Sequence, residues 1–86
     1  MRSVCYICKR ETDCHVHHIF AGSLRKKSEK YKQYCTIRVC PNCHLNKIHK
    51  YPADYIYLKK EAQQSLMDGL GWTMEDWHRE FGKNYL

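Results

Sequence analysis

The chain has 86 residues and a mass of 10.4 kDa, a one-domain length at which an apolar core alone is marginal, so a metal, disulfides or a partner must reinforce it. Its 43% hydrophobic content and eleven aromatic residues exclude a disordered chain, and no apolar run approaches the ~20 residues of a membrane span. The formal charge of +6 is uneven: residues 1–50 carry eleven Lys/Arg against three Asp/Glu, residues 51–86 four against six, which places a polyanion-binding face on a near-neutral scaffold. The opening MRSVCYICKR has no apolar stretch of signal-peptide length, so a cytoplasmic location is expected. Six cysteines in such a chain read as metal ligands or redox groups before disulfides.

In chain order, Cys5-x-x-Cys8 comes first. HVHHIF at 15–20 predicts a short strand, and YCTIRV at 34–39 a second. The two would pair antiparallel across a basic loop, AGSLRKKSEKYK at 21–32, with a helical turn around Ser28–Tyr31. Cys40-x-x-Cys43 follows, and HLNKIHK then begins a helix. Beyond residue 50 two more helices are expected. Pro52 suits the start of the first, and Tyr55, Leu58 or Lys59, Ala62, Leu66 and Leu70 form one apolar stripe that Gly69 and Gly71 end. Thr73 is a good N-cap for the second, with Asp76 three residues on. Met74, Trp77 and Phe81 share a face of that helix, Gly82 stops it, and Trp72, Trp77 and Phe81 read as core. The fold class expected is small α+β: a zinc-stapled β-hairpin plus helix, then two C-terminal α-helices. It is one domain, 1–86, with its metal-stapled core at 5–50 and a helical scaffold at 51–86.

A structural zinc takes four thiolate or imidazole ligands at tetrahedral corners, and each C-x-x-C turn supplies two from one knuckle. Cys5, Cys8, Cys40 and Cys43 therefore predict a structural zinc. The competing reading is two redox dithiols or two disulfides, which no thioredoxin-like βαβ pattern supports. Cys14 and Cys35 fall outside the knuckles as packed or spare thiols, with Cys14 an alternative fourth ligand.

Six histidines remain: His15, His17, His18, His44, His49 and His78. Neighbours on a strand point to opposite sides, so His17 and His18 can do different jobs. His44 directly follows the second knuckle. His49, five residues on, lies about 140° away around an ideal α-helix, so ligation shared with His44 needs a distorted or ended helix. His15 and His78 read as histidines without a site role.

His17-His18-Ile19 on a strand, a basic loop, then Cys40-Pro41-Asn42-Cys43-His44-Leu45-Asn46-Lys47 at a strand-to-helix junction resemble the HNH nucleases, whose active-site fold is a β-hairpin plus helix around one metal ion (ββα-metal). Gly22–Tyr31 and the ending Phe81-Gly82-Lys83-Asn84-Tyr85-Leu86 are similar to small phage-encoded HNH proteins, and these in turn to recombination-enhancement nucleases that act on DNA held by the RecA recombinase. The resemblance implies His17 and His44 as ligands of a catalytic divalent ion (magnesium, manganese, nickel, cobalt or zinc), His49 as a further ligand, and His18 as general base. It implies DNA as substrate, with a recombinase–DNA filament as a further partner, and cleavage to a 5′-phosphate and a 3′-hydroxyl. The motif's middle Asn, which positions the base, has two candidates, Asn42 and Asn46. Leu24 stands where an Asn is more usual before Arg-Lys.

The chemistry is consistent without the family. Phosphodiester hydrolysis needs a nucleophile, neutralisation at phosphorus and help for the leaving oxygen. A histidine with an ordinary pKa of about 6.5 takes a proton from water at neutral pH. Arg25, Lys26, Lys27 and Lys30 offer sequence-independent phosphate contacts. A non-catalytic zinc module for DNA binding, recombination or packaging is the alternative.

Overall fold

The computed structural model describes residues 2–20 and 22–86. β1 (Arg2–Val4) and β2 (Glu11–Asp13) form an antiparallel hairpin in the register Arg2↔Asp13, Ser3↔Thr12, Val4↔Glu11. The connection carries the first cysteine pair. β3 (His15–His18) pairs with β4 (Thr36–Val39) in a second two-stranded antiparallel sheet. Between them lie a 3₁₀ turn (Gly22–Leu24), α1 (Arg25–Lys30) and α2 (Lys32–Cys35). α3 (Pro41–Cys43) runs into a π-helical turn (His44–Ile48), and a 3₁₀ turn (Pro52–Tyr55) leads to α4 (Tyr57–Leu70) and α5 (Met74–Phe81). Among the described residues no helix is long and apolar enough to cross a membrane.

The chain divides into two compact units, Met1–His17 with Ile37–Ile56, and His18–Thr36 with Tyr57–Leu86. The segment 18–36, which the sequence places with the first half, thus belongs with the C-terminal helices. In the first unit the buried side chains are Cys5, Cys14, Val39, Cys40, Cys43 and Ile48. Four of these six are cysteines, so aliphatic burial is slight. In the second unit Ile19, Phe20, Leu58, Ala62, Leu66, Trp77 and Phe81 form an ordinary apolar core. Trp77 and Phe81, one turn apart on α5, stack with centroids 4.1 Å apart, and Phe20 meets both rings at 5.7 and 5.2 Å.

Several boundaries differ from the sequence expectation for identifiable reasons. The first strand stops at His18, not Phe20, because the chain bends there and buries Ile19 and Phe20. Ser28 Oγ donates to the Phe20 carbonyl at 2.7 Å and accepts the Phe20 N–H at 3.2 Å, so one buried hydroxyl satisfies the bend. Tyr34 and Cys35, read as strand from their β propensity, close α2 instead, and the basic loop is largely the helix α1. Tertiary packing overrides propensity here: α2 lies against α4. α4 begins at Tyr57, after the 3₁₀ turn that Pro52 opens. Its stripe buries Leu58, Ala62 and Leu66 but leaves Leu70 exposed, and Gln63 is fully buried. The Gln63 amide donates to Asn84 Oδ1 at 2.9 Å and accepts the Tyr85 N–H at 2.7 Å, which ties the C-terminal tail to α4. The Thr73–Asp76 capping box forms as expected, and Gly82 ends α5 at φ +84°. Of the residues read as core, Trp77 and Phe81 are buried, whereas Trp72 is half-buried against the Tyr31 ring.

Gly69 does not end α4 but lies inside it, where the Tyr34 ring rests on its backbone; an added Cβ would come within 2.7 Å of that ring. Gly69→Ala gains about 1 kcal/mol of helix propensity but overpacks this contact by about 1–3 kcal/mol. Thermal melts should therefore show a net loss of about 1 kcal/mol in the native chain. In a Tyr34→Ala background the sign should reverse. Equal effects in both backgrounds would refute the contact.

Candidate metal centres

Cys5 and Cys8 sit on the turn between β1 and β2, Cys40 at the end of β4, and Cys43 at the end of α3. The two knuckles are built alike: the Cys8 N–H donates to Cys5 Sγ and the Cys43 N–H to Cys40 Sγ, both at 3.5 Å. The Tyr6 N–H donates to the Arg38 carbonyl at 2.8 Å and docks the first knuckle on β4. The four sulfurs lie within 4.8 Å of one another, and Cys8 Sγ and Cys40 Sγ are 3.8 Å apart. Four sulfurs ~2.3 Å from one tetrahedral ion would be spaced by ~3.8 Å. All six cysteines are free thiols, and the 3.8 Å separation is far beyond a disulfide bond. The set could thus hold a structural metal such as zinc.

Electrostatics favours the same conclusion. Burial opposes ionisation at Cys5, yet backbone hydrogen bonds from Cys40, Cys8 and Ile7 bring its pKa down to about 6. At Cys43 burial, joined by the neighbouring sulfurs, pushes the thiol up to about 12. The Cys5 thiolate forms readily while Cys43 resists ionisation, a conflict that a dication would remove. Cys14 stays outside this set: its thiol donates to the Thr12 and Ser3 carbonyls at 3.4 and 3.5 Å, and burial with the nearby cysteines raises its pKa. Cys35 is buried, and that burial pushes its thiol up to about 12, so it is a packing residue.

The second cluster joins His17, His44 and His49, whose ligand atoms also lie within 4.8 Å of one another. The distortion needed to bring His49 over His44 is present: the turn after α3 is π-helical, and the His49 N–H donates to the His44 carbonyl, five residues back, at 3.1 Å. His44 Nε2 and His49 Nε2 are 3.0 Å apart. Two nitrogens ~2.1 Å from one ion and at right angles would be ~3.0 Å apart, against ~3.4 Å at a tetrahedral angle. Burial, reinforced by the neighbouring His49 and His15, holds the His44 pKa below the usual histidine range, which favours the neutral ring that can ligate. His17 and His44 are half-buried and His49 is exposed, so this cluster is open where the cysteine set is closed.

The other site residues named from the sequence fall as follows. His18, the last residue of β3, has its Nε2 2.8 Å from Glu29 Oε2 on α1. A carboxylate only accepts, so Nε2 carries a proton, and the neutral ring would keep its lone pair on Nδ1. Asn42 and Asn46, the two candidates for positioning the base, bond each other at 2.9 Å. Arg25, Lys26 and Lys30 are exposed. Lys27 is instead half-buried, with its ammonium 3.0 Å from Glu80, which Lys30 approaches at 4.0 Å. Glu80 also accepts from Tyr31 Oη at 3.1 Å, and the Lys27 bond holds its carboxyl below the usual range. His78 donates from Nδ1 to the Gly82 carbonyl at 2.9 Å and so caps the end of α5. Sequence reading missed Glu29, which lies among lysines and reads as one more surface charge. It also missed the contact of His15 with His44, Nδ1 to Nδ1 at 3.2 Å. Comparison with protein-family models, curated proteins and solved structures finds no match to this chain.

Two outcomes are expected. Chelation or Cys40→Ser should abolish amide protection in β1–β2 while fluorescence of Trp72 and Trp77, both in the second unit, stays native. Unchanged hydrogen exchange after chelation would sink this. Lys9, the residue after the first knuckle, has φ +66°, a left-handed conformation that β-branched residues strongly disfavour. Lys9→Val should therefore cost about 1–2 kcal/mol and weaken metal retention, with Lys9→Gly close to native; equal melts for the two variants would contradict it.

Proposed function

We propose that the chain is a metal-dependent DNA endonuclease of the HNH type, phage-encoded, with a ββα-metal core made by β3, β4 and the helical run from Pro41 to Ile48. The observation that carries the reading is the open three-histidine cluster in the same unit as the closed four-cysteine set, with Cys43 and His44 adjacent in the chain. A divalent ion held by His17, His44 and His49 supplies, when bound, charge neutralisation at the scissile phosphate and at the leaving 3′ oxygen. Three imidazole donors suit zinc, nickel, cobalt or manganese, and would leave the ion's remaining positions to water and phosphate oxygens.

His18 is the general base. It follows His17 on β3, so the two rings leave the strand on opposite sides and can do different jobs. Glu29 accepts the Nε2 proton of His18 and leaves Nδ1 to take the proton of the attacking water. Glu29 thereby fills the place that the sequence left between Asn42 and Asn46. Arg25, Lys26 and Lys30 contact DNA phosphates without reading sequence, while Lys27 is held by Glu80. A recombinase–DNA filament is the candidate setting for such a nuclease.

Nicking of supercoiled plasmid across a divalent-ion series tests the proposal. His18→Ala should lower cleavage about 10²–10⁴-fold with both metals retained. His44→Ala should lose the second ion while the cysteine-bound zinc stays, as counted by native mass spectrometry. Wild-type cleavage by His18→Ala would remove His18 as the base, and no cleavage with any cation would leave a non-catalytic zinc module that binds DNA.

A further inference from the structure

We infer that His15 is a positioning residue for the histidine centre: it accepts the Nδ1 proton of His44 and so commits His44 Nε2 to the metal. The inference rests on the metal-centre reading and not on nuclease activity.

The argument follows from counting protons. A neutral imidazole has one N–H and one lone pair. His44 Nε2 and His49 Nε2 face each other at 3.0 Å, and a cation between them requires a lone pair from each. The proton of His44 must then reside on Nδ1. That nitrogen is 3.2 Å from Nδ1 of His15, with the rings edge-on at 75° and their centroids 5.4 Å apart. His44 therefore donates and His15 accepts, which places the proton of His15 on its Nε2.

The strand makes this contact specific. His15 and His17 are two residues apart on β3, so their side chains share a face. Both meet the His44 ring, at 5.4 and 5.1 Å between centroids. Only His17 joins His44 and His49 in the ligand cluster. His17 thus ligates and His15 orients. Metal-bound histidines generally donate their second N–H to a fixed acceptor, and loss of that acceptor weakens binding by ~10–100-fold.

The test uses the full chain with zinc on its cysteines, titrated calorimetrically with Ni²⁺. His15→Phe keeps a ring but removes the acceptor, and should weaken Ni²⁺ binding by about 10-fold or more. His15→Asn places a carbonyl oxygen where Nδ1 stood and should restore most of the affinity. Long-range ¹⁵N–¹H NMR of the imidazoles should show His44 protonated at Nδ1 in the native chain and in His15→Asn, and shifted toward Nε2 in His15→Phe. Equal Ni²⁺ affinity in all three proteins, or an unchanged His44 tautomer, overturns the inference alone. Failure of His15→Asn to restore binding while the cysteines keep their zinc also overturns it. A native chain that binds no Ni²⁺ beyond the cysteine site overturns the histidine centre itself, and this inference with it.

Discussion

Four sulfurs govern the first unit. Its buried aliphatic side chains among the described residues are Val39 and Ile48, worth together ~3–6 kcal/mol of burial. That cannot order some three dozen residues of short strands and turns against their conformational entropy. A metal held by the four sulfurs would add its binding free energy to folding. Several elements of the unit refer to this cluster: the β1–β2 turn presents Cys5 and Cys8, Cys40 follows β4 directly, and α3 is a single turn whose far end is Cys43.

The same frame sets the open centre. His44 is the next residue after Cys43, and its N–H donates to the Cys40 carbonyl at 2.9 Å. The backbone that fixes a sulfur therefore also fixes an imidazole. The two centres differ in what encloses them. Three of the four cysteines are buried and Cys8 is half-buried, which suits a permanent ion, whereas His17 and His44 are half-buried and His49 is exposed.

Much of this could be read from the residues. The C-x-x-C spacing announces its knuckles because two thiolates on one tight turn have few other uses. Thr73 and Asp76 announce the start of α5 because their capping is local chemistry. What stayed hidden depends on partners distant in sequence. β1 and β2 have three residues each and no alternating pattern, and they pair because the knuckle between them is held. Tyr34 and Cys35 have strand propensity but pack as helix. Gln63 reads as solvated until the tail supplies Asn84 and Tyr85 to its amide. Glu29 and His15 gain meaning only from His18 and His44, eleven and twenty-nine residues away.

The π turn at 44–48 makes chain length itself part of the site. It brings His49 to His44 by closing over five residues where an α-helix closes over four. Loss of one residue between them would let the backbone relax to ordinary α-helix and still present two histidines, now at the i, i+4 spacing. Their rings would again be neighbours, but everything beyond, from Lys50 through the Pro52 turn, would be rotated by about 100° and drawn in by about 1.5 Å. Insertions and deletions are ordinarily tolerated best in loops and worst in sheets. Here a short helical segment is the stretch whose residue count admits no change, because one hydrogen-bond register serves both ligand spacing and the direction in which the chain leaves.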